Sequence, residues 1–226
     1  MRPTLLAAAL ALLPAEAPAG AWPRGEGKAF VALGHLASTD LEAITSGAYL
    51  IEGLQIGGYS TVFIEYGLTP KLTFGLDYGT DGEFWSAILF LRRSFEFGRN
   101  VVAAEIGYGQ RNLWNGETED VLRPALHLGR GTDWGWIGVE TYAEVRSENP
   151  GTALKLDATI GWRVTERSSL VLQILTAKYP GADATVRLAP SYVRRITDNF
   201  SLELGLAADV AGGDDVGLDL ATWIEF

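Results

Sequence analysis

The 226-residue sequence contains no cysteine, a single methionine and only two histidines, His35 and His127. A chain without cysteine forms no disulfide framework and no thiolate site, so its secondary structure must hold it together. Basic residues are also in deficit, because 18 Lys and Arg stand against 28 Asp and Glu, for a formal net charge of −10. This balance argues against a nucleic-acid partner, which requires a basic patch to neutralise phosphates.

Long apolar runs are absent except near the N-terminus, where Leu5–Leu13 follows the positive start at Arg2. That run is too short to cross a bilayer as a helix. Together with the small residues Ala19 and Ala21, it is typical of a cleaved secretory signal. We therefore predict a signal peptide at residues 1–21 and a single mature domain at residues 22–226, of about 205 residues.

The remaining apolar residues are arranged in alternation, although hydrophobic residues make up 47% of the chain. About twelve segments of roughly nine to twelve residues carry apolar side chains at every second position, which is the length of a tilted membrane-crossing strand. This pattern predicts an all-β fold. The segments lie near Lys28–Leu36, Gly58–Gly67, Lys71–Gly79, Phe84–Phe95, Val101–Arg111, Asp120–Gly129, Gly135–Arg146, Ala153–Val164, Ser169–Tyr179, Ala184–Ile196, Phe200–Val210 and Gly217–Phe226.

The connections between these segments alternate between short turns and longer, acidic, glycine-containing loops. A transmembrane antiparallel up-and-down β-barrel with an even strand count has short turns on one side and longer loops on the other. The longest loop, Ala37–Gly57, is the one segment long enough to fold inward as a constriction. The short turns are Leu68–Pro70, Glu96–Asn100, Arg130–Asp133, Thr165–Ser168 and Thr197–Asn199.

The two faces of the segments differ in charge. One face is apolar and uncharged, as in the stripes Leu154, Leu156, Ile160 and Trp162. In a membrane barrel that face meets lipid and the polar face lines the lumen. The residues predicted to line a pore are Glu65, Asp77, Glu105, Arg111, Arg123, His127, Glu140, Glu144, Arg146, Lys155, Asp157, Arg163, Arg187, Arg195, Glu203 and Asp209.

The alternative is a soluble barrel, in which the charged face would meet water and the apolar face would form the core. Aromatic residues at the strand ends favour the membrane, because interfacial girdles collect there. Tyr66, Trp162, Tyr192 and Phe226 would form one girdle, and Tyr78 and Tyr108 the other.

Two segments do not show which face is which. In Phe84–Phe95 both phases are apolar until Arg92 and Arg93, and we predict a β-bulge there. Lys28–Leu36 is ambiguous in the same way.

The last ten residues, GLDLATWIEF, place Leu218, Leu220, Ile224 and Phe226 on one face of a strand that ends on an aromatic residue. This stretch resembles the terminal strand of Gram-negative bacterial outer-membrane β-barrels. In that family it is the signal read by the barrel assembly machinery. The resemblance implies export to the cell outer membrane, with membrane lipid and lipopolysaccharide as surroundings.

A second resemblance concerns the predicted hairpin EYGLTPKLTFG at Glu65–Gly75. It is similar to the tight periplasmic hairpin of small porin-like outer-membrane transporters, including the family named for a phenol-degradation pathway. That resemblance implies passage of small organic solutes.

Catalytic groups are scarce. Outer-membrane phospholipases and lipid A deacylases carry a His close before a Ser on one strand face, whereas neither His35 nor His127 has a hydroxyl two residues later. The acids at Asp214–Asp215 and Glu117–Asp120 lack the ligand spacing of a calcium loop. We therefore expect no enzyme, no metal and no cofactor.

The hypothesis that follows is a narrow passive channel for ions or small solutes. A closed barrel with a structural or surface-interaction role is the alternative. An outer-membrane enzyme is the third.

Overall fold

The computed structural model describes residues 20–47, 55–113, 115–148 and 151–226. Every strand pairs antiparallel with its neighbour in sequence, and β1 pairs with β12, which closes the barrel. The predicted all-β barrel of twelve strands is confirmed. The strands are β1 Ala29–Asp40, β2 Gly57–Thr69, β3 Leu72–Thr80, β4 Trp85–Phe97, β5 Asn100–Asn112, β6 Thr118–Gly131, β7 Gly135–Arg146, β8 Thr152–Thr165, β9 Ser168–Lys178, β10 Ala184–Arg195, β11 Phe200–Ala211 and β12 Asp215–Glu225. The described residues also form the short helix α1 Leu41–Thr45.

Alternation of side chains along each strand separates the two faces of the wall. In β8, Leu154, Leu156 and Ile160 are exposed on the outside, whereas Lys155 and Asp157 point inward. The other strands repeat the pattern, so the outer surface is a continuous apolar belt. Lipid solvates such a belt, whereas water would not tolerate exposed apolar surface of this extent. The protein is therefore a transmembrane β-barrel of the outer-membrane type.

The turns are short at one end of the barrel, where between two and four residues join β2 to β3, β4 to β5, β6 to β7, β8 to β9 and β10 to β11. Gly98, in the β4–β5 turn, has a φ of +63°, which only glycine adopts without strain. The chain end lies at the same end of the barrel, because Phe226 N–H donates to the Ala29 carbonyl at 3.0 Å. This end is called the short-turn end below. The part of the chain that the structure describes contains no helix long and apolar enough to cross a bilayer.

The predicted bulge in Phe84–Phe95 is wrong, since β4 pairs with β3 and β5 without a register shift. Both phases of β4 are apolar for a different reason. Its inward residues Ile88 and Phe90 pack inside the barrel, and Phe90 stacks on Phe63 with ring centroids 5.7 Å apart. The register shifts instead at Gly67/Thr69, Arg163/Thr165 and Val186/Arg187, near strand ends where bulges are common.

The loop predicted at Ala37–Gly57 is shorter than expected, because β1 continues to Asp40 through pairing with β12 and β2. Helix α1 follows, capped by the Asp40 carboxylate, and buries none of its residues. The described part of this loop therefore does not fold inward, and residues 48–54 lie outside the described residues. Residues 1–19 of the predicted signal peptide also lie outside them.

Candidate functional site in the barrel lumen

Residues Gly20–Lys28, called the N-terminal segment below, enter the lumen from the short-turn end. Gly27 N–H donates to the Gly67 carbonyl at 2.9 Å, and Gly25 lies directly against Gly67. A Cβ on Gly67 would overlap the Gly25 carbonyl, so the glycine in β2 permits this close approach.

Arg24 fixes the next part of the segment to the β2–β3 wall. Its backbone N–H donates to Thr73 Oγ1 at 3.3 Å, and its guanidinium forms an ion pair with Glu65. The guanidinium also lies 4.1 Å from the ring centroid of Phe30, in cation–π contact. Because Arg24 is almost fully buried, these contacts compensate for its loss of hydration.

Trp22 carries the segment across to the opposite wall. Its ring packs against a buried cluster of Trp136, Val171 and Val193, and it lies over Gly129, where a Cβ would clash with it. The N-terminal segment therefore spans the lumen from β2–β3 to β6–β10, and it narrows the opening at the short-turn end.

Gly20 is held by Glu140 at the inner end of the segment. The Gly20 backbone N–H donates to Glu140 Oε1 at 2.6 Å, and Tyr142 donates its hydroxyl to Glu140 Oε2 at 2.5 Å. A Cβ on Gly20 would lie only 2.9 Å from Glu140 Cδ, so a larger residue fits poorly.

A ladder of buried charges continues from Arg24 across the β2–β6 wall. Arg92 is 2% exposed and lies between Glu65 and Glu105, with its Nη1 atom 3.6 Å from Glu105 Oε2. Arg123 then joins Glu105 at 3.7 Å to Asp77 at 2.6 Å. Alternating charges of this kind stabilise one another only while each keeps a partner.

His127 is fully buried beside this ladder, with Nε2 3.3 Å from Glu105 Oε2. Its ring meets Tyr142 edge to face at 5.3 Å. Neither ring nitrogen hydrogen-bonds to another described residue, and the fully buried ring does not face an open reaction space.

Two smaller ion clusters lie elsewhere on the interior wall. Glu144 binds Lys155 at 2.8 Å and Arg146 at 3.4 Å. Arg187 binds Asp209 at 2.6 Å and Asp215 at 3.7 Å. These pairs neutralise part of the lumen charge.

Four interior acids take no part in any ion pair formed by the described residues: Glu140, Asp157, Glu203 and Asp219. Glu140 and Asp157 face each other across the β7–β8 pairing. Two interior bases, Arg163 and Arg195, are also outside the ion pairs formed by the described residues, so four unpaired acids stand against two unpaired bases and the lumen keeps a net negative charge.

The sixteen residues predicted from sequence to line a pore all lie on the interior face of their strands. That they line a conducting path stays a prediction. Sequence reasoning missed Arg24 and Trp22, assigned no face to Arg92, and did not single out Tyr142. The predicted assembly residues lie on the outer face of β12, where Leu218, Leu220 and Phe226 are exposed, and their role in assembly also stays a prediction.

The second histidine lies on the lipid-facing surface. His35 Nδ1 is 2.9 Å from Ser60 Oγ on the neighbouring strand, a contact that spacing along one strand does not reveal. Within the described residues no acid hydrogen-bonds the other ring nitrogen of His35. Those residues also hold no group of three or more potential metal ligands.

Comparisons with known proteins agree with this fold. No family model matches the sequence, and no curated protein matches it. Among solved structures, an outer membrane channel from Pseudomonas putida F1 is 12% identical, with 93% of this chain and 100% of that chain covered at a TM-score of 0.67. The KdgM porin in complex with disordered oligogalacturonate is 8% identical, with 87% and 99% covered at a TM-score of 0.65.

An enzyme shares the architecture as well. An active-site mutant of outer membrane phospholipase A from Escherichia coli is 14% identical, with 92% of this chain and 93% of that chain covered at a TM-score of 0.50. At such low identities the likeness shows the fold alone, which is a closed antiparallel β-barrel of the kind found in the outer membrane. Function has to be argued from the lumen.

Proposed function

We propose that the protein is a narrow passive channel of the outer membrane for ions or small solutes, with a preference for cations. The observation that carries this proposal is the set of four lumen acids without a basic partner: Glu140, Asp157, Glu203 and Asp219. A carboxylate buried without a cation is costly, so these groups require water or mobile cations around them. Charges inside a narrow, low-dielectric wall also concentrate counter-ions in the channel.

The dimensions of the barrel agree with small solutes. Twelve tilted strands about 4.8 Å apart enclose a backbone cylinder of roughly 12 Å radius, and side chains occupy much of it. The N-terminal segment takes up further space at the short-turn end. A path that remains beside it admits ions and small molecules and excludes larger ones.

The wall also has an apolar side. Phe30 lies between Phe63 and Trp223, with ring centroids 6.5 and 6.4 Å away, and Phe63 stacks on Phe90. Phe30 and Phe90 are each 2% exposed, and the Arg24 guanidinium lies over the Phe30 ring, so these rings pack the wall beneath the N-terminal segment. The solute preference therefore rests on the unpaired acids. Oligogalacturonate, which the KdgM porin binds, is a polyanion, and the charge of this lumen disfavours such a solute.

A closed barrel with a structural or surface-interaction role remains the alternative, and the buried ladder through Arg24, Arg92 and Arg123 supports it. Planar bilayer recordings separate the two proposals. We expect small unitary conductance from the parent and a larger one from a Trp22→Ala, Arg24→Ala double variant. Trp162→Ala, on the outer surface, is the control and should conduct like the parent. No conductance from the double variant would favour the closed barrel.

An outer-membrane enzyme is the weakest of the three hypotheses. The His35–Ser60 contact on the lipid side is the observation that bears on it. A serine nucleophile needs its histidine oriented by a third group and an oxyanion site. The described residues supply no hydrogen-bonded acid to His35, so we do not assign this pair a catalytic role.

A further inference from the structure

Glu140 is a lumen carboxylate that has no basic side chain as a partner among the described residues. It accepts hydrogen bonds from Gly20 N–H and from the Tyr142 hydroxyl, but none of the ion pairs among the described residues includes it. Lys155 on the neighbouring strand is already 2.8 Å from Glu144. Asp157, opposite Glu140, adds further negative charge at the same place.

The nitrogen of Gly20 lies where a cation would compensate this charge, 2.6 Å from Glu140 Oε1. In an uncleaved chain that nitrogen is a neutral amide with one hydrogen. In a chain that begins at Gly20 it is an ammonium with three hydrogens, because an α-amino group has an ordinary pKa of about 7.7 to 8.0. A charge-assisted hydrogen bond to a carboxylate is roughly twice as strong as a neutral one.

We propose that Gly20 is the first residue of the mature protein and that its α-ammonium forms an ion pair with Glu140 inside the lumen. Removal of the signal peptide then creates the cation that fixes the N-terminal segment across the barrel. In the mature protein Asp157, Glu203 and Asp219 are then the lumen acids without a basic partner, and the cation preference of the proposed function rests on them. The sequence allows this cleavage, since Ala17-Pro18-Ala19 is a small-x-small site like Ala19-Gly20-Ala21.

Burial of the next residue supports the earlier cleavage. Ala21 is 1% exposed, and Gly20 is the residue whose lack of a side chain fits against Glu140. Cleavage after Ala21 would remove both residues and leave Glu140 with Tyr142 alone. The contacts therefore favour a start two residues before Trp22.

The chemistry of this step is a simple hydrolysis. A signal peptidase adds one water across the Ala19–Gly20 peptide bond, which leaves a carboxylate on Ala19 and an amine on Gly20. The amine takes up one proton from solvent and becomes the partner of Glu140. No redox reagent or metal is needed.

The first test is the mass of the N-terminal peptide from protein purified from outer membranes. We expect it to begin at Gly20. A mature chain that begins at Trp22, or at any residue other than Gly20, would overturn the proposal. This measurement needs no variant and does not depend on whether the lumen conducts.

The second test is the rate at which an N-hydroxysuccinimide ester modifies the Gly20 amine in folded protein, relative to exposed Lys71. In the parent the buried ion pair should protect Gly20. Glu140→Gln should raise the Gly20 rate by on the order of tenfold, the change expected for losing a charge-assisted contact. Glu203→Gln, an unpaired lumen acid on another wall, is the matched control and should leave the rate unchanged.

Equal Gly20 rates in the parent and in Glu140→Gln would refute the ion pair. Folding of each variant is checked first by the heat-dependent shift of the barrel on electrophoresis. A channel that fails to conduct but shows a protected Gly20 would contradict the proposed function and leave this inference standing.

Discussion

Replacing Arg92 by Met should destabilise the barrel strongly, although the side chain is never in contact with lipid. Arg92 is 2% exposed and separates the carboxylates of Glu65 and Glu105. Removing one partner of a buried ion pair typically costs about 3 to 5 kcal/mol. Arg24 and Arg123 still neutralise part of each carboxylate, so we expect the lower end, about 3 kcal/mol.

The neighbouring residue supplies a matched control. Arg93 lies on the outer face of the same strand, exposed, with its guanidinium 5.5 Å from the Phe95 ring centroid. Arg93 lies near the short-turn end, where a charge on the lipid face costs about 0 to 1 kcal/mol, so Arg93→Met should leave stability unchanged or raise it by up to about 1 kcal/mol. The assay is equilibrium urea unfolding of protein refolded into lipid vesicles, followed by tryptophan fluorescence. Equal losses for the two variants, or a loss below about 1 kcal/mol for Arg92→Met, would refute the buried ladder.

Three further predictions address the membrane face, assembly and catalysis. Leu156→Arg should lower the free energy of unfolding by about 2 to 4 kcal/mol in the same assay, because it places a charge in lipid. Thr159→Arg, on the inner face of the same strand, should lower it by less. The reverse order would mean that the lipid-facing and lumen-facing sides of β8 are wrongly assigned. Deleting Phe226 should leave export intact but reduce the heat-shifting folded band on electrophoresis, and equal band intensities would contradict an assembly role. A fluorophosphonate probe should leave Ser60 unlabelled, and stoichiometric labelling that a Ser60→Ala variant abolishes would show a hydrolase.

The strand pattern could be predicted from sequence because lipid and lumen impose opposite polarities on alternate residues. In β8 the apolar Leu154 and Leu156 alternate with Lys155 and Asp157, so register and face follow directly. The alternation disappears in β4, because the inward residues Ile88 and Phe90 are as apolar as the outward residues of that strand. Arg92 could not be given a face there, although it is the centre of the buried ladder.

The N-terminal segment was missed for a different reason. A signal peptide is recognised by composition, and the residues after it show no alternation that would reveal a contact with distant strands. Arg24 meets Glu65 and Gly20 meets Glu140 only because the barrel closes around them. Gly25 and Gly67 were the sequence features that could have indicated this contact, because two parts of the backbone approach each other closely at these glycines.

Contacts between neighbouring strands also cannot be predicted from the spacing of residues within one strand. The His35–Ser60 contact depends on the β1–β2 register, which no local motif specifies. The loop after β1 is shorter than the sequence predicts, because the polar residues Ser38 and Thr39, which are typical of a loop, pair with β12 and extend β1.

Ion selectivity tests the central claim most directly. The measurement is the reversal potential across a planar bilayer under a KCl gradient, for the parent and for a Glu203→Gln, Asp219→Asn double variant, which leaves Glu140 and the N-terminal segment unchanged. We expect the parent to prefer cations, the preference to weaken in the variant, and both to approach neutrality near 1 M salt, where the screening length falls to about 3 Å. A reversal potential that shows anion preference in the parent would contradict the account.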